Sequence, residues 1–232
     1  MGARTSSTAS PNNQTRGTAS RRERERTQRR DAILRAARKV FFKNGIHAAT
    51  VNDVAVAAQV SKGTVYLYFD TKETILAHLL FEGLDTLVAE LETAYAVDQP
   101  LDALTRLRGL AAAYLDFFQT NPEYYRLMMV FDRGQFQASV DAAVYQQVYT
   151  RSLRGLEWLV RAVQQAQAEG LLNVTDAREA ASLLWAGLNG VLVLLSNPLR
   201  AEIVAADLKS LYSEMTEVLI NGLGKHRVKS NE

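Results

Sequence analysis

Residues 50–69 read T-V-N-D-V-A-V-A-A-Q-V-S-K-G-T-V-Y-L-Y-F. Val51, Val54, Ala55 and Ala58 fall at i, i+3, i+4 and i+7, one face of a short helix. Val65, Tyr68 and Phe69 repeat the first three of those positions in a second stretch. Ser61 stands just before it, with a side-chain oxygen able to accept a free N–H of the first turn, as an N-cap does. Two short helices joined by a tight turn are a helix-turn-helix. The second helix would turn Lys62, Thr64, Tyr66 and Tyr68 toward a nucleic acid: one cation, one hydroxyl and two phenols. Gly63 permits close backbone approach, and Phe69 faces inward.

The flanks extend this unit. Upstream, Ile33, Ala36, Ala37, Val40 and Phe41 make the apolar stripe of a helix over 29–44, with Gly45 as its stop. A helix-turn-helix pair cannot bury both of its faces, so this third helix is needed for stability. Thr50 opens the first helix of the pair, where its hydroxyl and the free N–H groups can bind a phosphate oxygen. Downstream, Asp70 or Thr71 caps a long helix reaching about Val97, and Lys72 in its first turn can hold phosphate from the opposite flank.

The charge follows the same division. Residues 1–69 hold thirteen Lys/Arg against four Asp/Glu, a balance of +9, whereas 70–232 carry −7. Phosphate attraction is thereby concentrated at one end of the chain. The cluster Arg21, Arg22, Arg24, Arg26, Arg29 and Arg30 reads either as a solvated charge run or as an arm on DNA, with Arg29 and Arg30 nearest the motif.

With D-T-K-E-T-I-L directly after it, residues 50–69 resemble the DNA-binding signature of the TetR/AcrR family of bacterial regulators. The match runs from about Arg29 to Leu80. It includes the Phe41…Gly45 helix ending, Thr50, the Tyr66–Phe69 aromatic run and Lys72. The resemblance implies an all-α homodimer that places its third helix in the major groove of a palindromic operator. Thr50 and Lys72 would clamp the DNA backbone, Lys62 and Thr64 in the first turn of the third helix would come within reach of base edges, and Tyr66 and Tyr68 would reach phosphates or thymine methyls, with Ser61 and Gly63 on the same DNA-binding surface. It further implies a repressor released by a small apolar or amphipathic effector. The family usually has Gly where Gln59 stands, and a left-handed residue there would cost about 1 kcal/mol more for Gln.

The rest of the chain matches the family in length and helical pattern. Helices are expected over 101–120, 122–131, 136–169, 175–197 and 200–223, for about nine in all and no sheet. The domain reading is a disordered polar tail at 1–19, a DNA-binding head at 20–70, a ligand-binding and dimerisation domain at 71–224, and a polar tail at 225–232. The last two helices are apolar nearly all round, so they need cover on every side. That nominates Leu184, Leu188, Val191, Leu195, Leu208, Leu211, Met215 and Leu219 for a four-helix dimer interface. Aromatic and Met residues crowd one region, which nominates Tyr114, Phe118, Tyr125, Met128, Met129, Tyr145, Tyr149, Trp158 and Trp185 for an effector pocket, with Asn189 as a polar anchor or an interface amide.

Composition excludes several classes. With no cysteine there is no disulfide, thiol nucleophile or Cys-based zinc site. The three histidines are scattered, no phosphate loop or metal-ligand spacing is present, and no catalytic residue, metal or cofactor is nominated. The longest apolar run, 183–195, is too short for a bilayer span, and the arginine-rich start lacks the apolar core of a secretory signal. The expected setting is a cytoplasmic one without a membrane partner. The rival readings are an effector-independent DNA binder and a helical enzyme.

Overall fold

The computed structural model describes residues 12–131 and 136–224. The described residues form eleven helices and no strand: α1 (Asn12–Asn44), α2 (Val51–Ala57), α3 (Lys62–Tyr66), α4 (Lys72–Tyr95), α5 (Ala103–Thr120), α6 (Pro122–Phe131), α7 (Phe136–Ser139), α8 (Ala142–Ala168), α9 (Ala177–Leu195), α10 (Pro198–Val204) and α11 (Leu208–Leu223). They fall into two compact units, Met1–Ile75 and Leu76–Glu232, with the boundary one turn inside α4.

The count exceeds the expected nine because two long helices are each broken by an Asp N-cap. Asp141 accepts from the Val144 N–H and separates α7 from α8. Asp207 accepts from the Ser210 N–H, and Ala205 just before it is left-handed, so α10 and α11 part there. Two of the expected boundary residues act as read, and a second glycine closes α8. Gly45 has φ +86° after α1, Gly170 has φ +69° after α8, and Thr71 rather than Asp70 caps α4 by accepting from the Thr74 N–H.

The expected disordered tail needs correction. Residues 12–19 open α1, which continues back through a stretch that holds no proline. Residues 1–11, and the tail at 225–232, lie outside the described residues.

In the first unit the buried core is Ile33 and Ala37 from α1, Phe41, Val54 from α2, Val65 from α3, and Phe69. In the second, α9 packs against α5, α8 and α11. One side of α9 joins Leu110 and Phe117 of α5 and Val163 and Ala166 of α8 through Ala181 and Leu184. Further along, its Leu188, Val191 and Leu192 meet Leu115, Tyr125 and Tyr212. By length and composition α9, at 19 residues, could cross a membrane. Here it is a packed helix that begins at an Asp176 cap beside Arg178 and Glu179.

Candidate DNA-binding surface and effector cavity

The two helices of the motif are each opened by hydrogen bonds that reach only three residues along the chain. Thr50 and Asp53 form a reciprocal capping box: the Thr50 N–H donates to Asp53 Oδ2 at 2.9 Å, and the Asp53 N–H donates to Thr50 Oγ1 at 3.2 Å. The Thr50 backbone N–H, then its hydroxyl, holds the Asp53 carboxyl below its ordinary value. Ser61 caps α3 by accepting from the Thr64 N–H at 3.0 Å, and the two hydroxyls share a 2.8 Å hydrogen bond. Gln59 stands in the turn at φ +55°, the left-handed conformation for which glycine is better suited.

These caps leave Ser61, Lys62, Gly63, Tyr66 and Leu67 on the exposed surface, with Thr64 and Tyr68 half-buried and Phe69 buried. Lys62 Nζ lies 5.9 Å from the centre of the Tyr66 ring, a cation–π pair that points both groups the same way. Lys72 is partly engaged within the head. Its Nζ donates to the His47 carbonyl at 3.4 Å and sits over the Phe41 ring. Arg30 lies over the Phe69 ring, whereas Arg29 is exposed. Leu67, 77% exposed beside Tyr66, was not nominated from the sequence. Its place in the apolar-periodic stretch hid it, because a five-residue helix ends before its periodicity repeats.

The second unit contains a cavity of about 430 Å³, mostly apolar. Seven of the ten nominated pocket residues line it: Tyr114, Met128, Met129, Tyr145, Tyr149, Trp185 and Asn189. The other three do not. Phe118 packs edge-on against Tyr125 in the core at 4.6 Å. Tyr125 reaches the site only by donating its hydroxyl to Asn189 Oδ1 at 3.1 Å. Trp158 turns away to stack near Tyr95 and Arg161. Residues three or four apart on a helix share a face, but which face meets the lumen depends on neighbours remote in sequence.

Those neighbours include the side of α4 carrying Leu80, Leu84, Leu87 and Leu91, and Arg151 of α8. Neither was nominated. The leucines read as ordinary core, and Arg151 as a surface cation. Arg151 sits 4.3 Å from the centre of the Phe81 ring and pairs with Asp85 at 3.0 Å, so it offers a held guanidinium to the cavity.

The residues expected at a dimer interface divide by burial, three buried and five half-buried. Leu184, Leu188 and Val191 are buried within the single chain, and Leu188 lines the cavity. Leu195, Leu208, Leu211, Met215 and Leu219 pack against the same core. Helix α9 is apolar on both sides, and the inner side is already occupied. The outer side carries Leu183, 53% exposed, with Ala186 and Gly190, while α11 exposes Val218 at 65%. Gly187 faces Leu219 inside the chain, but open space surrounds Gly190.

Residues 33–79 match the family described as "Bacterial regulatory proteins, tetR family", and residues 107–219 match "Tetracyclin repressor-like, C-terminal domain". The chain belongs to the TetR family. That is a family of transcriptional regulators rather than enzymes, and its all-helical fold is the one found here. The TetR relative FasR, an HTH-type transcriptional activator of Mycolicibacterium smegmatis, is 34% identical over 103 residues, 44% of this chain and 46% of that protein. The HTH-type transcriptional repressor KstR2 of the same organism is 27% identical over 142 residues, 61% of this chain and 66% of that protein. The matched stretch thus covers less than two thirds of either TetR relative. The transcriptional regulator FadR of Bacillus subtilis, solved in complex with stearoyl-CoA, superposes with a TM-score of 0.61 at 21% identity, covering 82% of this chain and 97% of that one. At that identity the likeness establishes a shared TetR fold.

Proposed function

We propose that this chain is a homodimeric, ligand-responsive repressor that leaves a roughly palindromic operator when a small apolar or amphipathic effector enters its second unit. The cavity carries the reading. A void of about 430 Å³ deprives its lining of contacts, a cost that a constitutive DNA binder has no reason to bear. Its size lies within the range of small-molecule sites, and its lining is apolar with a few hydroxyls, one amide and one guanidinium. FadR, solved with stearoyl-CoA, suggests an acyl-type effector, and Arg151 suits the anionic end of such an amphiphile.

In this reading Lys62, Thr64, Tyr66 and Leu67 meet base edges and sugars. Thr50, Ser61, Gly63, Tyr68 and Lys72 seat the backbone, and Arg29 and Arg30 add phosphate contacts. One recognition helix per chain reads one half-site, so a two-fold mate is needed, with the half-sites about one helical turn apart or slightly more. The outer stripe of Leu183, Ala186 and Gly190 with Val218 is the surface we assign to that mate. The effector acts by shifting α4, the helix shared by both units, and so changing the separation of the two heads. The chain's place of work is the cytoplasm, where its operator is. FasR is an activator and KstR2 a repressor, so the sign is tested directly below.

The experiment is selection of duplexes from a random library, followed by binding to the selected site with and without acyl-CoA. We expect a dyad-symmetric site, affinity falling steeply with salt, and release by the acyl-CoA. Ligand that tightens operator binding would reverse the sign of regulation. A protein with no preference over random competitor DNA would end the reading. Leu183→Asp should yield monomers in sedimentation and lower operator affinity on the order of 100-fold, about 2.7 kcal/mol.

A further inference from the structure

The cavity's one amide defines what kind of ligand can occupy it. Asn189 reaches the lumen from α9, and its Oδ1 accepts hydrogen bonds from the hydroxyls of Tyr114 at 3.2 Å and Tyr125 at 3.1 Å. An amide oxygen has two lone pairs, so those two hydroxyls use its acceptor capacity. The amide's other end carries two N–H groups, and Nδ2 donates to no group among the described residues. On α11 the hydroxyl of Tyr212 is buried without a partner. Burial, and then the nearby phenols of Tyr114 and Tyr125, push its pKa far above the ordinary phenol value, so the group stays neutral, with both its hydrogen and its oxygen available for hydrogen bonding. The amide of Asn189 therefore keeps unused donors where Asn189 and Tyr114 line the lumen.

We propose that the effector is an apolar molecule carrying a carbonyl or carboxylate oxygen, and that Asn189 Nδ2 donates to that oxygen. This rests on the reading of the cavity as the effector site and adds the chemistry of the ligand's polar end. An apolar wall discriminates weakly between ligands of similar shape, whereas a placed donor rejects a ligand that brings another donor, because both groups then lose their water without gaining a partner. Fatty acids, their thioesters and keto-bearing polycyclic compounds share the required oxygen. Long-chain amines and plain hydrocarbons lack it.

The test uses full-length protein with Trp158→Phe, a change outside the cavity that leaves Trp185 in its wall as the reporter. Decanoate, methyl decanoate and decylamine are titrated by Trp185 emission. The ester and acid should bind about tenfold more tightly than the amine, the worth of one hydrogen bond. Asn189→Asp keeps the shape and the oxygen for Tyr114 and Tyr125 but removes both N–H donors. It should weaken the ester about tenfold and favour the amine, reversing the preference. Arg151 is unchanged in this variant and cannot produce such a reversal. Asn189→Leu, monitored by circular dichroism beside it, should weaken the ester without favouring the amine. If all three probes bind but Asn189→Asp leaves their order unchanged, the donor assignment is overturned and the effector site stands. If none of the three alters Trp185 emission, the acyl effector reading falls, and this inference with it.

Discussion

The two units hold their functional groups by opposite means. In the head every cap joins residues three apart: Thr50 with Asp53, Ser61 with Thr64, Thr71 with Thr74. The body has caps of the same local kind, at Asp141 and Asp207 among others, but adds polar contacts between distant segments around its cavity and core. Tyr114 meets Asn189 across 75 residues, Gln165 donates to the Leu101 carbonyl across 64, and Arg108 forms a two-pronged pair with Glu217 across 109. Local caps set a rigid surface with little dependence on what the rest of the chain does. Long-range contacts build a cavity whose shape depends on every helix around it. A DNA reader must keep one geometry, while an effector site must couple to movement, and the two kinds of contact suit those needs.

The largest effect that would test this contrast is Phe117→Ala. Phe117 is fully buried where α5 meets the body's core, and its loss should cost about 3–5 kcal/mol in denaturant unfolding. A cost below about 1 kcal/mol would mean that the body does not depend on that long-range packing. Next come the head's cations. Lys62→Ala should cost about 1–3 kcal/mol on the preferred operator and change which sequences are preferred, whereas Lys72→Ala should weaken all duplexes alike and flatten the salt dependence by about one unit. If both variants behaved the same way, the division between base reading and backbone seating would be wrong.

Tyr212→Phe removes the buried hydroxyl that has no partner while keeping the ring. It should raise stability by about 1 kcal/mol in thermal melts, and a loss instead would mean that the hydroxyl has a role in the cluster. The smallest effect expected is that of Thr50→Ala, about 1 kcal/mol or less for a single exposed cap. Acid should act on the same cap. Because the folded-state pKa of Asp53 is lowered, its contribution is present above the ordinary 3.8 and is lost as pH falls through the lower folded value. A pH melt of Thr50→Ala should therefore lack part of the acid sensitivity of the parent.

The same contrast explains what could be read from the chain in advance. The caps at Thr50, Ser61 and Gly45 and the inward Phe69 were legible because each is decided within a few residues, whereas the left-handed turn at Gln59 was indicated by the family resemblance. Seven of ten pocket nominations met at the lumen, since clustered aromatics marked the right helices. Trp158, Phe118 and Tyr125 missed it because composition identifies a helix and not the face that turns inward. Leu80, Leu84 and Arg151 were missed for the converse reason: leucines at helical spacing look like core, and only the neighbours show that space lies in front of them.

On α9 the sequence identified a helix needing cover on all sides, and left open which side the chain itself covers. Leu184, Leu188 and Val191 went to the inside, while Leu183 and Gly190 were left outside. The sequence alone determined the helical class, the charge division, the motif and its caps, because periodicity and capping act over a turn or two of helix. Only the tertiary structure decided which faces became cavity wall, core or free surface, because that choice depends on contacts between residues brought together from far along the chain.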